Sequence, residues 1–241
     1  MATYSSFDIL QWLPAEAQSA FAQAAHIRKF SSGQVVYTQA DRGDELFRIV
    51  SGSIRLSGFG SDGRQLIYLL FEEGDCFGIS SVIDGEPRLQ TAEALGDTQL
   101  QAVKRSTLNK LREDYPVFND AIMRLLTGHL RLMADYFASS HLDEMSDRLL
   151  QRILDAASVA GVECEEGVRL SHRLSQSELA MMVGASRQSV NRALQNFQNE
   201  GLLTVRYGSL IIRDLERVRA LRKKSWRLRK SAATPNDGES D

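Results

Sequence analysis

Cysteine is scarce in this chain: only Cys76 and Cys164 occur among 241 residues. Two thiols without CxxC spacing or a neighbouring histidine exclude a disulfide framework, a zinc finger and a cysteine-ligated iron–sulfur cluster. The histidines His26, His129, His141 and His172 are scattered without ligand spacing, so neither haem nor any other metal cofactor is expected. No apolar run reaches the roughly 18 residues of a membrane-spanning helix. The N-terminal stretch MATYSSFDILQWL also lacks a basic region leading into an apolar core. A cytoplasmic protein with no membrane partner is the expectation. Missing too are a nucleophile–base pair, a phosphate-cradling glycine loop and a metal triad, so no enzymatic activity is expected.

What is present is enough apolar material for two cores, at 43% hydrophobic residues. The formal net charge of −2 conceals a division. From Ser171 to Lys230 there are 13 Lys plus Arg against 4 Asp plus Glu, whereas residues 1 to 170 carry 16 against 24. A basic segment following an acidic body is the footprint of a polyanion-binding domain, with nucleic acid as the natural partner. Cys76 sits in the run Gly-Asp-Cys-Phe-Gly and reads as a small hydrophobe rather than a redox centre.

Between about Gly33 and Lys104 short β-prone runs recur: Gln34–Thr38, Glu45–Val50, Ser53–Phe59, Gln65–Phe71, Leu89–Leu95 and Gln99–Val103. Glycine and aspartate stand at the joints, as in an antiparallel roll or barrel. After Tyr115-Pro116 the period becomes helical. Phe118, Ile122, Leu125, His129, Leu132 and Tyr136 form one stripe, and Leu126, Leu130, Met133 and Phe137 a second. Two stripes need two surfaces, so one is expected on the roll and the other on a second copy of the helix. Leu125 and Leu132 are the positions where a buried charge is expected to break that pairing. A further helix is expected over Asp143–Ala160.

The stretch Leu174–Leu203 reads as two short helices with a tight turn at Val183-Gly184, Gly184 supplying the reversal. Ser186 is placed to cap the second helix, on which Val190, Ala193, Leu194 and Phe197 recur at helical spacing. That leaves Arg187, Gln188, Asn191, Arg192 and Gln195 outward. Arginine forks onto guanine, and Asn or Gln pairs with adenine, so these side chains suit base readout. Two β-prone runs, Leu202–Arg206 and Ser209–Arg213, flank Tyr207-Gly208 as a hairpin wing, from which Arg206 and Arg213 reach phosphates. The full DNA-binding set is Ser175, Gln176, Ser186, Arg187, Gln188, Ser189, Asn191, Arg192 and Arg206. The alternative keeps the roll as a small-molecule or protein-interaction module beside a non-functional DNA domain.

This order of parts, together with the glycines Gly33, Gly43, Gly52 and Gly63, the string Gly74-Asp75-Cys76-Phe77-Gly78, Pro87-Arg88 and the run Ser186–Arg192, resembles the catabolite activator and fumarate-nitrate regulator family of bacterial transcription factors. The resemblance implies an α+β chain with four parts. These are a cyclic-nucleotide-binding-like antiparallel β-roll over 1–115, a dimerisation helix over 116–141, a winged helix-turn-helix domain over 142–230 and a disordered acidic tail over 231–241. It further implies a homodimer on a palindromic promoter site, with RNA polymerase as a partner. The family's polymerase-contacting loop corresponds to Gly161–Gly167, which carries Glu163, Glu165 and Glu166.

The family's effector site maps onto Gly78, Ile79, Arg88, Leu89, Gln90, Leu132 and Tyr136. Cyclic-AMP-responsive members carry a glutamate where this chain resembles Ile79, and Arg-Ser where it has Arg88-Leu89. Their adenine-contacting Thr-Ser pair corresponds to Tyr136 and Phe137. These departures argue against cyclic AMP and leave the small-molecule effector open. Arg88, if buried, needs an acid or an anionic ligand. In the recognition helix the family's Arg, Glu and Arg correspond to Arg187, Gln188 and Arg192, so adenine becomes admissible where the family's glutamate favours cytosine.

Overall fold

The computed structural model describes residues 7–170, 174–206 and 209–221. The acidic tail expected over 231–241, the wing turn at Tyr207-Gly208 and the basic run 222–230 lie outside them. The chain divides into two units, residues 1–142 and 143–241.

In the first unit a 3-10 turn (Ile9–Trp12) and α1 (Ala15–Ala24) precede a run of strands. These are β1 (His26–Phe30), β2 (Val35–Tyr37), β3 (Glu45–Ser51), β4 (Ile54–Phe59), β5 (Gln65–Phe71) and β6 (Cys76–Phe77). The short helix α2 (Ile79–Asp84), β7 (Thr91–Ala94), β8 (Thr98–Lys104), α3 (Arg105–Asp114) and α4 (Val117–Leu142) follow. The strands make two antiparallel four-stranded sheets, ordered β1-β8-β3-β6 and β2-β7-β4-β5. In the second sheet β4 pairs with β5 from Ile54↔Phe71 to Phe59↔Gln65, a hairpin interrupted by one register shift. Both faces of β3 are covered, burying Leu46 on one and Phe47 and Ile49 on the other, and all three join Phe21, Phe77, Leu100 and Phe118 in one core.

Cys76 is part of that core, and burial pushes its thiol up to about 12. Thiolate is therefore scarce at neutral pH, and the side chain acts as a packed hydrophobe. Aspartate supplies the anchor beside it. Buried Asp75 accepts hydrogen bonds from the N–H groups of Phe7 (2.7 Å) and Glu72 (3.0 Å), tying the chain start to the β5–β6 turn.

The 26 residues of α4 begin just after Pro116, where a missing N–H costs nothing. Its inward face buries Phe118, Ala121, Ile122, Leu125 and Leu132 against the roll. Leu125 (0%) and Leu132 (6%) therefore belong to the core of their own unit, which corrects their expected place at the pairing surface: a charge there acts first on the folded unit. A different row faces outward: Met123, Leu130 and Phe137, spaced by seven residues, are 58%, 68% and 66% exposed.

The second unit starts with α5 (Met145–Ala160) and the hairpin β9 (Gly161–Cys164) and β10 (Gly167–Leu170). Then come α6 (Gln176–Val183), α7 (Arg187–Asn199), β11 (Leu203–Arg206) and β12 (Ser209–Ile212). The segment 215–221 is also helical. The acidic stretch expected as a loop over Gly161–Gly167 is instead the β9–β10 hairpin, paired from Leu170↔Gly161 to Gly167↔Cys164. It joins the wing in an antiparallel sheet ordered β11-β12-β10-β9. Leu149, Ile153, Leu179, Val183, Val190, Leu194 and Ile212 are all buried in this unit.

Candidate nucleic-acid interface and sensor cavity

Two hydroxyl caps define the helix-turn-helix. Ser175 caps α6 in a reciprocal box: its Oγ accepts from the Glu178 N–H (3.1 Å), and the Glu178 carboxylate accepts from the Ser175 N–H (2.8 Å). Gly184 ends α6 at φ +63°, a left-handed conformation in which a side chain is strained. Ser186 then caps α7, its Oγ accepting from the Ser189 N–H at 3.1 Å. Arg148 of α5 supports the turn by donating to the Val183 carbonyl at 3.2 Å.

With Val190, Ala193, Leu194 and Phe197 buried, the outer face of α7 presents exposed Arg187, Gln188 and Arg192, with Asn191 half-buried. Gln176 links three of the expected residues: it donates to Asn191 Oδ1 (3.0 Å) and accepts from Arg187 Nε (3.4 Å). Ser186 and Ser189 share a further hydroxyl contact at 2.9 Å. Gln188 and Arg192 stand clear of this network. Arginine at the positive end of a helix dipole makes this face attractive to phosphate and to guanine edges. On the wing, exposed Arg206 pairs with Glu166 at 3.0 Å, and Arg213 donates to Thr204 Oγ1 at 2.7 Å.

The first unit encloses a cavity of about 290 Å3 between the roll and α4. Leu56, Leu69, Phe71 and Phe77 come from the strands, and Leu126, His129, Leu130 and Met133 from one face of α4. Gly78, Ile79, Leu89 and Gln90 of the expected effector set also line it, with Tyr37, Ser80 and Ser81. Leu132 and Tyr136 do not. Leu132 is instead in the core and Tyr136 packs on Tyr68, ring centroids 6.0 Å apart.

Arg88 is buried but turned into the wall. Its guanidinium donates to the carbonyls of Gly78 (2.6 Å) and Glu45 (2.7 Å) and stacks on Tyr37 at 4.3 Å. A Cβ on Gly43 would lie 2.2 Å from Arg88 Nε, so the missing side chain makes room for the arginine. The partners expected for Arg88, an acid or an anion, are thus replaced by main-chain oxygens. Burial raises the Tyr37 phenol above its ordinary range, opposed by Arg88, and pushes His129 down to about 4. Both are neutral at pH 7.

Tyr37, His129 and Met133 went unnoticed as cavity residues in the sequence. The spacing Leu126, His129, Leu130, Met133 was a visible signal, but only the facing strands make it a wall. Among the described residues no group of three or more His, Cys, Asp or Glu is placed to hold a metal ion, and no helix is long and apolar enough to cross a membrane.

Residues 27–115 match the model of the cyclic nucleotide-binding domain, and residues 147–221 match the Crp-like helix-turn-helix domain. The chain is 28% identical to the CRP-like cAMP-activated global transcriptional regulator of Mycobacterium tuberculosis over 87% of this chain and 94% of that protein. It is 24% identical to the anaerobic regulatory protein of Bacillus subtilis, covering 77% of this chain and 78% of that one. Its fold is similar to that of CLP, the c-di-GMP responsive global regulator of Xanthomonas campestris, with a TM-score of 0.73 at 23% identity, over 83% of this chain and 100% of that one. A sensor domain and a DNA-binding domain thus occur in the same order as in full-length transcription regulators, none of which is an enzyme. The chain belongs to the catabolite activator and fumarate-nitrate regulator (CRP/FNR) family of transcription regulators.

Proposed function

We propose that this regulator acts in the cytoplasm as a homodimer on a two-fold symmetric promoter site, under control of a small-molecule effector other than cyclic AMP. The observation that carries the reading is the capped α7 helix with Arg187, Gln188 and Arg192 exposed at its N-terminal half. A helix so presented enters a major groove and reads three or four base edges. Ser175, Gln176, Ser186, Ser189 and Asn191 position or join that set, and Arg206 adds phosphate contact from the wing.

The seven-residue row Met123, Leu130 and Phe137 supports pairing of α4 with its copy, since an a-type repeat on an exposed helix suits a coiled-coil seam. Two copies of α7 then bind half-sites related by the dimer axis. RNA polymerase is the further partner expected of such a regulator. Ile79, Leu89 and the committed Arg88 support an effector unlike cyclic AMP. Selection of duplexes from random DNA by the full chain tests the reading. Enrichment of an inverted repeat with guanine opposite Arg187 and Arg192 is expected, and recovery of asymmetric or unrelated sequences would contradict it.

A further inference from the structure

The cavity beside α4 has apolar walls and no ionised side chain. None of its lining residues is Asp, Glu, Lys or Arg, and most are Leu, Phe, Ile or Met. Arg88, placed in sequence between two lining segments, spends its guanidinium on the carbonyls of Gly78 and Glu45 and on the Tyr37 ring. An anion entering the cavity would lose its hydration without gaining a cation. Recruiting Arg88 would strand two half-buried carbonyls and break the ring stack, a cost each anion contact must first offset. The polar exceptions, Tyr37, Ser80, Ser81, Gln90 and His129, are all uncharged, and the half-buried Ser80 and Gln90 supply a hydroxyl and an amide among them.

We propose that this cavity takes an uncharged, largely apolar small molecule whose polar group meets Ser80 and Gln90. Arg88 is then a positioning residue that holds the loops around Gly43 and Gly78, touching no ligand. The inference rests on the sensor reading above and deepens it. Size agrees: about 290 Å3 is roughly twice the 150 Å3 of an engineered cavity that holds benzene, so two fused or linked rings fit. Leu89, 63% exposed, extends the apolar surface to the mouth.

The test titrates the full chain with 1-naphthylamine, a two-ring fluorophore uncharged at neutral pH, and in parallel with cyclic AMP and cyclic di-GMP by calorimetry. Saturable binding of one fluorophore per chain is expected, with no heat from either nucleotide. Leu69→Lys, which sets a cation on the wall, and Leu69→Trp, which fills the space, should each weaken the fluorophore by about tenfold or more. Arg64→Ala, at an exposed turn away from the cavity, should leave its affinity within about twofold. Saturable binding of either nucleotide without the fluorophore, or fluorophore binding indifferent to both Leu69 variants, would overturn the proposal. Each preparation is also titrated with the selected duplex. Duplex binding without fluorophore binding counts against the cavity proposal alone, and the reverse counts against the DNA-reading function alone.

Discussion

At Arg187 and Arg206 the same residue type is asked to do two different things. Arg187 stands at the start of the recognition helix, held by Gln176, whereas Arg206 projects from the wing beside Glu166. Arg187→Ala should cost about 1 to 3 kcal/mol on the preferred duplex and flatten discrimination at one base pair. Arg206→Ala should weaken all duplexes alike and lower the salt slope by about one. Anisotropy titrations on single-base variants separate the two, and a uniform loss for Arg187→Ala would assign it to phosphate. A second residue-scale expectation concerns His129, whose ring lies 4.7 Å from Phe7 and 5.7 Å from Phe71. The unfolded histidine takes a proton near pH 6.5, while the folded one stays neutral to about pH 4. Stability is therefore lost as pH falls through this window, by at most about 3 kcal/mol. Glu72 and Asp75, whose pKa values are raised, act in the opposite sense, so the comparison must be with His129→Phe. Urea unfolding at pH 7, 5.5 and 4.5 should show a flatter dependence for the variant, and parallel curves would remove His129 from the account. The exposure of Arg187, Gln188 and Arg192 on a capped helix was legible in the sequence because cap, turn glycine and helical spacing are all local. The commitment of Arg88 to carbonyls 10 and 43 residues away was not, since nothing near it in sequence announces those partners.

The helix α4 is where pairing and packing meet. Its sequence showed two apolar stripes, but which stripe faces the roll depends on the strands opposite, and Leu125 and Leu132 went inward. Phe137→Glu places a charge at the exposed row without touching the core. It should raise the dimer dissociation constant by about 100-fold or more, since the two copies set like charges in an apolar seam. The unfolding midpoint of the monomer should change little. Sedimentation velocity across micromolar concentrations checks this, and unchanged association would place the interface elsewhere. Other elements were legible in proportion to their length and pattern. The strand Gln65–Phe71 was delimited to the residue, whereas β6 has two residues and too little sequence to show a period. β1, with the sequence HIRKF at a sheet edge, keeps only Phe30 buried and shows no apolar alternation. The β9–β10 hairpin was hidden by its glutamates, which read as a loop until its pairing with β12 places it in a sheet.

For the molecule as a whole, charge divides along the chain: the sensor unit, residues 1–142, carries 13 basic against 17 acidic residues, and the helix-turn-helix segment from Ser171 to Lys230 carries 13 against 4. Like charge keeps the sensor from competing for phosphate, while the basic segment gathers counterion-release affinity that falls steeply with salt. Such affinity alone would bind any duplex. The central claim is that two copies of α7 convert it into symmetric sequence reading. The most direct measurement is an anisotropy titration of the full chain against the selected palindrome, one half-site and a scrambled duplex, at several salt concentrations with the stoichiometry determined. The account predicts two chains per palindrome and a preference over the scrambled duplex of about 1,000-fold or more that persists as salt rises, with the half-site bound far more weakly. Equal affinity for palindrome and scrambled duplex, or one chain per palindrome with no penalty for the half-site, would contradict it.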